Sequence, residues 1–239
     1  MLVRLVAMIA AGVLVTPACG APLTEERGAT LAQLYPPGEI AALNKTLSAD
    51  RVIRYRVREP GVGSRGVLVY VSPTDSGELA ADWAAVLDRK NLLYIAADGF
   101  GNSRPTAERV LVAMAALRMA RHLGAVDGQR LYIAGMSGGG RVASQIITHF
   151  PQSFSGAFCI VGADYFMPQD ESLRSLLAAR RLVLLTGSRD FNQRELRLVS
   201  KRYRQAGVAN VLLMDQPDFG HEIASAGQLG NALDFLDAR

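Results

Sequence analysis

The chain has 239 residues, of which 49% are hydrophobic and 20% charged, with a formal net charge of +4. Those proportions fit a globular protein with one large core and exclude a disordered or fibrous chain. The basic residues are densest around positions 51–58 and 194–204, but neither group is a like-charge block, which argues against a nucleic-acid partner.

The first 21 residues differ from the rest. Arg4 is the only charge before Glu25, residues 5–15 are almost wholly apolar, and residues 16–21 are small and turn-prone. That is the order of a secretory signal peptide, with an apolar run too short for a transmembrane helix. Cleavage after Ala18 or Ala21 leads to soluble export, periplasmic or secreted. Cys19 offers a lipid-anchored alternative, although Thr16-Pro17-Ala18 lacks the Leu or Val expected three positions upstream of a lipidated cysteine; an uncleaved segment is the third reading. A membrane partner is expected only if Cys19 is lipidated. The remainder, 22–239, is expected to be a single α/β domain. Cys159, in the apolar run 157–161, reads as a buried, inert strand residue, and no disulfide is expected. The three histidines are far apart and no Cys/His cluster has zinc spacing, so neither metal nor cofactor is expected.

In chain order, residues 24–48 read as helical pieces and loop. Residues 51–58 alternate polar and apolar, as in a half-exposed antiparallel edge strand. After a turn at 61–66, the apolar runs 66–71 and 92–96 read as buried strands, with a helix at 79–89 between them. The loop 98–103 leads to a helix at about 105–122, whose first turn suits Pro105. The alternation continues with strands at 130–134, 156–161, 182–186 and 211–214, and helices at 141–150, 171–179, 194–205 and 223–236. Apolar strands alternating with helices imply a mostly parallel sheet covered on both faces, with functional loops at the carboxyl ends of the strands. Residues 164–180 are the only candidate for a small lid, so little or no cap is expected.

The strand at 130–134 runs directly into Gly135-Met136-Ser137-Gly138-Gly139, and a helix pattern follows at once. A strand, a sharp turn carrying one serine and then a helix make a nucleophile elbow; the competing reading is a glycine-rich turn whose serine caps the helix. A serine nucleophile needs a base, and the base needs an orienting acid. His122 and His149 fall at helix ends and read as structural. His221 falls in the loop after the last strand, on the serine's side of the sheet. Asp190 follows the strand at 182–186; it serves either as the acid or as a helix cap. Asp164 is the rival acid, whereas Asp215 and Asp218 lie too near His221 in sequence. Arg141 reads as a solvated or structural residue of the elbow helix. Met136, Phe100 and Asn102 are candidate substrate-binding residues, the last two standing also as a loop turn with a buried phenylalanine.

The order Ser137, Asp190, His221, with the segments 135–139, 186–190 and 219–221, resembles the α/β-hydrolase superfamily from about residue 50 onward. Within it, the chain is similar to small secreted esterases of the polyhydroxybutyrate-depolymerase and feruloyl-esterase-like group. The resemblance implies an α/β-hydrolase fold and a serine esterase acting through an acyl-enzyme on a small-molecule or polymeric ester. An acyltransferase or peptidase on the same triad, and a non-catalytic binding protein on a hydrolase scaffold, stand as alternatives. Such hydrolases usually carry His-Gly after the strand corresponding to 67–71, where this chain has Ser72-Pro73-Thr74. Pro73 has no N–H, so the oxyanion hole is expected from Gly138 together with Ser72 or Thr74.

Overall fold

The alternation of apolar strands and helices closes around one eight-stranded sheet in the computed structural model, which describes residues 22–61, 63 and 65–238. The expected leader and Cys19 lie outside the described residues. The strands are β1 (Glu25–Thr30), β2 (Val52–Arg58), β3 (Arg65–Val71), β4 (Leu92–Ala97), β5 (Val126–Met136), β6 (Gly156–Ile160), β7 (Arg181–Gly187) and β8 (Asn210–Gln216). The helices are α1 (Leu31–Leu34), α2 (Pro37–Leu43), α3 (Ala84–Arg89), α4 (Thr106–His122), α5 (Gly138–His149), α6 (Glu171–Ala178), α7 (Gln193–Gln205) and α8 (Ala226–Asp237). The strand order is β1-β2-β4-β3-β5-β6-β7-β8. The β1–β2 and β2–β4 pairs are antiparallel and every other pair is parallel.

Both sheet faces are buried, which is why the central strands are apolar without interruption. Along β3, Val67, Val69 and Val71 enter the core shared with α4 and α5, whereas Leu68 and Tyr70 enter the core shared with α3 and α8. No helix among the described residues is long and apolar enough to cross a membrane.

Four local expectations are corrected. Residues 25–30 form strand β1 rather than helix or loop; its first four residues are exposed, so backbone pairing with β2 holds it and no apolar alternation marks it. In consequence β2 is not the edge strand. β5 begins at Val126, ahead of its apolar stretch, because its polar start continues past a register shift against β3. The last helix starts at Ala226, where Ser225 caps it and Gln228 completes a capping box, leaving residue 223 in the preceding loop. Residues 164–180 do not roof the elbow. Asp164 bonds Arg141 and Gln145 of α5, Phe166 meets His149 at its far end, and Tyr165 meets Tyr203 of α7.

Candidate active site

Ser137 sits between β5 and α5 with φ 53° and ψ −120°. This backbone conformation is costly for any residue with a side chain and persists only where its surroundings enforce it. Here the enforcement is contact. A Cβ on Gly135 would lie 2.3 Å from the Gly139 carbonyl oxygen, and one on Gly139 would lie 1.9 Å from the Val71 carbonyl oxygen. The helix can therefore begin directly over the strand end only because both positions lack side chains. The Ser137 N–H donates to Ile160 O at 2.8 Å, which ties the turn to β6.

His221 Nε2 lies 2.9 Å from Ser137 Oγ, and His221 Nδ1 lies 2.9 Å from Asp190 Oδ1. An ionised carboxylate only accepts hydrogen bonds, so the Nδ1–H donates to Asp190 and Nε2 is left to accept from the serine hydroxyl. Asp190 is 4% exposed. Its other oxygen accepts from Thr186 Oγ1 at 2.6 Å, and Oδ1 also accepts from the Asn192 N–H at 3.1 Å. The Asn192 side chain in turn donates to Val161 O at 2.8 Å, holding the loop after β7 against the end of β6. A buried carboxylate with three donors is fixed in place and orients the imidazole. Phe191, 78% exposed, lies over the His221 ring with centroids 4.0 Å apart and planes at 22°.

Asp164, the rival acid, is turned away from His221 by an ion pair with Arg141 at 2.7 Å. Arg141 is a structural residue that also pairs with Glu195 of α7, and the two carboxylates raise its pKa, the Glu195 hydrogen bond most. Asp215 pairs with Arg197 and Gln193. His149 packs on Phe166, and His122 ends α4. Burial pushes the Cys159 thiol up to about 12, so the group is un-ionised at neutral pH. No cluster of three or more His, Cys, Asp or Glu among the described residues could hold a metal ion.

Around the serine, Gly138 is the first residue of α5, so its N–H is one of the donors a helix leaves unpaired. Of the two expected partners for it, Thr74 is already engaged. Its N–H donates to Ser72 Oγ at 3.2 Å and the two hydroxyls are 3.1 Å apart, so the two side chains engage one another and the Ser72 N–H is the remaining candidate donor. Asn102 lies against the elbow, since a Cβ on Gly138 would fall 2.1 Å from its Oδ1. Its own N–H donates to Pro73 O at 2.9 Å, so the loops after β3 and β4 are joined there. Met136 lines a cavity of about 270 Å³ beside the serine. Phe100 does not: it is buried in the core on the opposite sheet face, between the guanidinium groups of Arg51 and Arg104. Its apolar ring is accommodated by core packing and not by the site.

One residue central to this arrangement was not anticipated. Arg109 of α4 is 4% exposed and pairs with no carboxylate among the described residues. Its guanidinium donates to Phe100 O at 3.2 Å, Gly138 O at 3.3 Å and Ser72 O at 3.0 Å. It thereby joins the three loops that surround Ser137. The signal lay in the helix pattern, because Arg109 falls on the same apolar stripe as Val112, Ala113, Ala116 and Ala120.

No protein-family model and no curated protein matches the sequence. Solved structures do match its shape. A thermostable esterase superposes with a TM-score of 0.64 at 16% identity, over 89% of this chain and 62% of its own length. A ferulic acid esterase superposes with a TM-score of 0.62 at 16% identity, over 88% of this chain and 95% of its own. An acylaminoacyl peptidase of Pyrococcus horikoshii superposes with a TM-score of 0.62 at 14% identity, over 88% of this chain and 40% of its own. With its strand order, its elbow and these likenesses, the chain has the α/β-hydrolase fold.

Proposed function

We propose that the protein is a serine hydrolase that cleaves carboxylic esters through an acyl-enzyme on Ser137. The observation that carries this reading is the continuous hydrogen-bonded chain from Ser137 Oγ through His221 to Asp190, 2.9 Å at each link. His221 Nε2 takes the hydroxyl proton as Oγ attacks the ester carbonyl, and returns it to the departing alcohol. Asp190 stabilises the imidazolium without itself taking the proton. The Gly138 N–H, with Ser72, accepts the charge that develops on the carbonyl oxygen. Water then attacks the acyl-enzyme with His221 as base, and the acid leaves. Esterases among the structures of similar shape are in keeping with an ester substrate, and the peptidase among them keeps amides as the second reading. The leader-like residues 1–21 support export, either as a soluble protein or anchored at Cys19.

A fluorophosphonate probe tests the reading. The folded wild type is expected to be labelled on Ser137 and to hydrolyse p-nitrophenyl acetate, and Ser137→Ala to lose both, with turnover down by at least about 10³-fold. Esterase activity unchanged in Ser137→Ala, or a folded wild type that the probe does not label, defeats it.

A further inference from the structure

The cavity beside Ser137 lies on the α3–α8 side of the sheet and measures about 270 Å³, at the small end of ligand sites. Its opening is flanked by Met136, which precedes the nucleophile, and Ile223, two residues beyond His221. Its walls include Leu79, Tyr70, Trp83 and Tyr94. The three rings pack on one another: Tyr70 meets Trp83 edge-on at 5.6 Å and stacks on Tyr94 at 6.0 Å. The polar tips of two of them are used within the protein. Trp83 Nε1 donates to Ala224 O at 2.6 Å and the Tyr94 hydroxyl donates to Gly77 O at 2.9 Å.

Tyr70 is the exception. It is 7% exposed, and its hydroxyl has no hydrogen-bond partner among the described residues. A largely buried tyrosine usually finds a protein partner for its hydroxyl, whereas this one opens on the cavity. The same ring with hydrogen in place of the hydroxyl would pack equally well. Ser72, Pro73, Thr74, Ser76 and Glu78 also line the cavity. An unpartnered donor among three packed rings, beside Ser137, fits a ligand that brings an acceptor.

Resting on the ester-hydrolase reading above, the geometry points to this cavity as the recognition subsite for one arm of the ester. That arm is a compact, largely apolar group carrying a hydrogen-bonding oxygen, such as an ether or keto oxygen, which accepts from the Tyr70 hydroxyl. Discrimination against an all-carbon arm of equal length follows, because that arm leaves the hydroxyl unpaired.

Matched esters test this. Ethyl 4-methoxybutanoate and ethyl hexanoate differ only by an oxygen in the acyl arm, and 3-methoxypropyl acetate and pentyl acetate only by an oxygen in the alcohol arm. In one pair, wild-type kcat/KM is expected to favour the oxygenated ester by about three- to tenfold, and Tyr70→Phe to bring the ratio near one. The ratio is measured on a single protein, so loss of folded enzyme cancels, and the responding pair identifies which arm enters. Binding supplies a second readout, since Trp83 is the only tryptophan of the chain. In Ser137→Ala, its emission is expected to change saturably with the favoured ester, and adding Tyr70→Phe to weaken that binding by the same factor. A ratio that Tyr70→Phe leaves unchanged in both pairs, or Trp83 emission unmoved by all four esters, overturns the proposal. Absence of Ser137-dependent hydrolysis of p-nitrophenyl acetate defeats the catalytic reading instead, and the Trp83 titration then decides the cavity on its own.

Discussion

Arg109 shows how much of the site rests on a residue that touches none of the three in line. Burial lowers its pKa, yet three carbonyl oxygens take its donors, and each belongs to a different loop of the site. Replacing it removes all three donors; Gly138 O keeps its place in the α5 ladder, and an oxygen left buried without a partner costs about 1–3 kcal/mol. Arg109→Met is therefore expected to lower kcat by about 10- to 100-fold with KM within about threefold, because the Gly138 and Ser72 peptides lose their support while Arg109 itself does not line the cavity beside the serine. Arg109→Lys, which keeps the charge but not the fork, is expected to recover only a small part. Steady-state kinetics on p-nitrophenyl acetate separate these outcomes, and a change confined to KM counts against the assignment. Ser137, Asp190 and His221 were legible because strand ends mark them. Arg109 was legible only as a misfit on an apolar stripe. The stacking of Phe191 on His221 had no signal at all, since a phenylalanine next to an acid in a loop carries no periodicity.

The elbow is a property of an element junction rather than of the serine. Strand β5, the turn and helix α5 fit only because backbone meets backbone at Gly135 and Gly139, with the Val71 carbonyl of β3 against the latter. Gly139→Ala sets a methyl group 1.9 Å from that oxygen, and nothing there is flexible enough to move aside. The expected cost is about 1–3 kcal/mol, a fall in Tm on the order of 5–10 °C, with Ser137 labelling slowed by at least about tenfold. Differential scanning calorimetry and probe-labelling rates check both; a variant with wild-type Tm and labelling would mean that the junction relaxes freely. The pentapeptide made this junction readable, since the glycine spacing is itself the packing requirement. Strand β1 was unreadable for the opposite reason. Glu25–Thr30 is held by backbone hydrogen bonds to β2 and buries almost nothing, so its sequence carries no strand pattern.

Over the whole molecule, the last helix is fastened to the middle of β5 by Asp237. Its carboxylate bonds Arg130 at 2.9 and 3.0 Å and the Tyr132 hydroxyl at 2.7 Å. Burial by itself would raise its pKa, but Arg130 and Tyr132 outweigh that and hold it below the usual carboxylate range. A carboxylate depressed on folding adds stability that is fully present above its unfolded pKa, about 3.9, and is lost as pH falls through the lower folded value. Wild-type Tm is thus expected to fall more steeply below about pH 4 than that of Asp237→Asn, with the variant less stable at pH 7; parallel Tm curves would remove Asp237 from the acid response. The sequence by itself determined the elements that bury apolar surface, the elbow and the chain order of serine, acid and histidine, because periodicity, glycine spacing and strand ends are local. Only the tertiary structure decided that residues 84 and 31 positions apart meet at hydrogen-bond distance, and that Phe100 turns into the core. It likewise decided that Arg109 joins three loops and that Tyr70 faces a cavity, its hydroxyl without a partner among the described residues. Each of these depends on how strands from distant parts of the chain are ordered in the sheet, and strand order leaves no local mark on the residues it brings together.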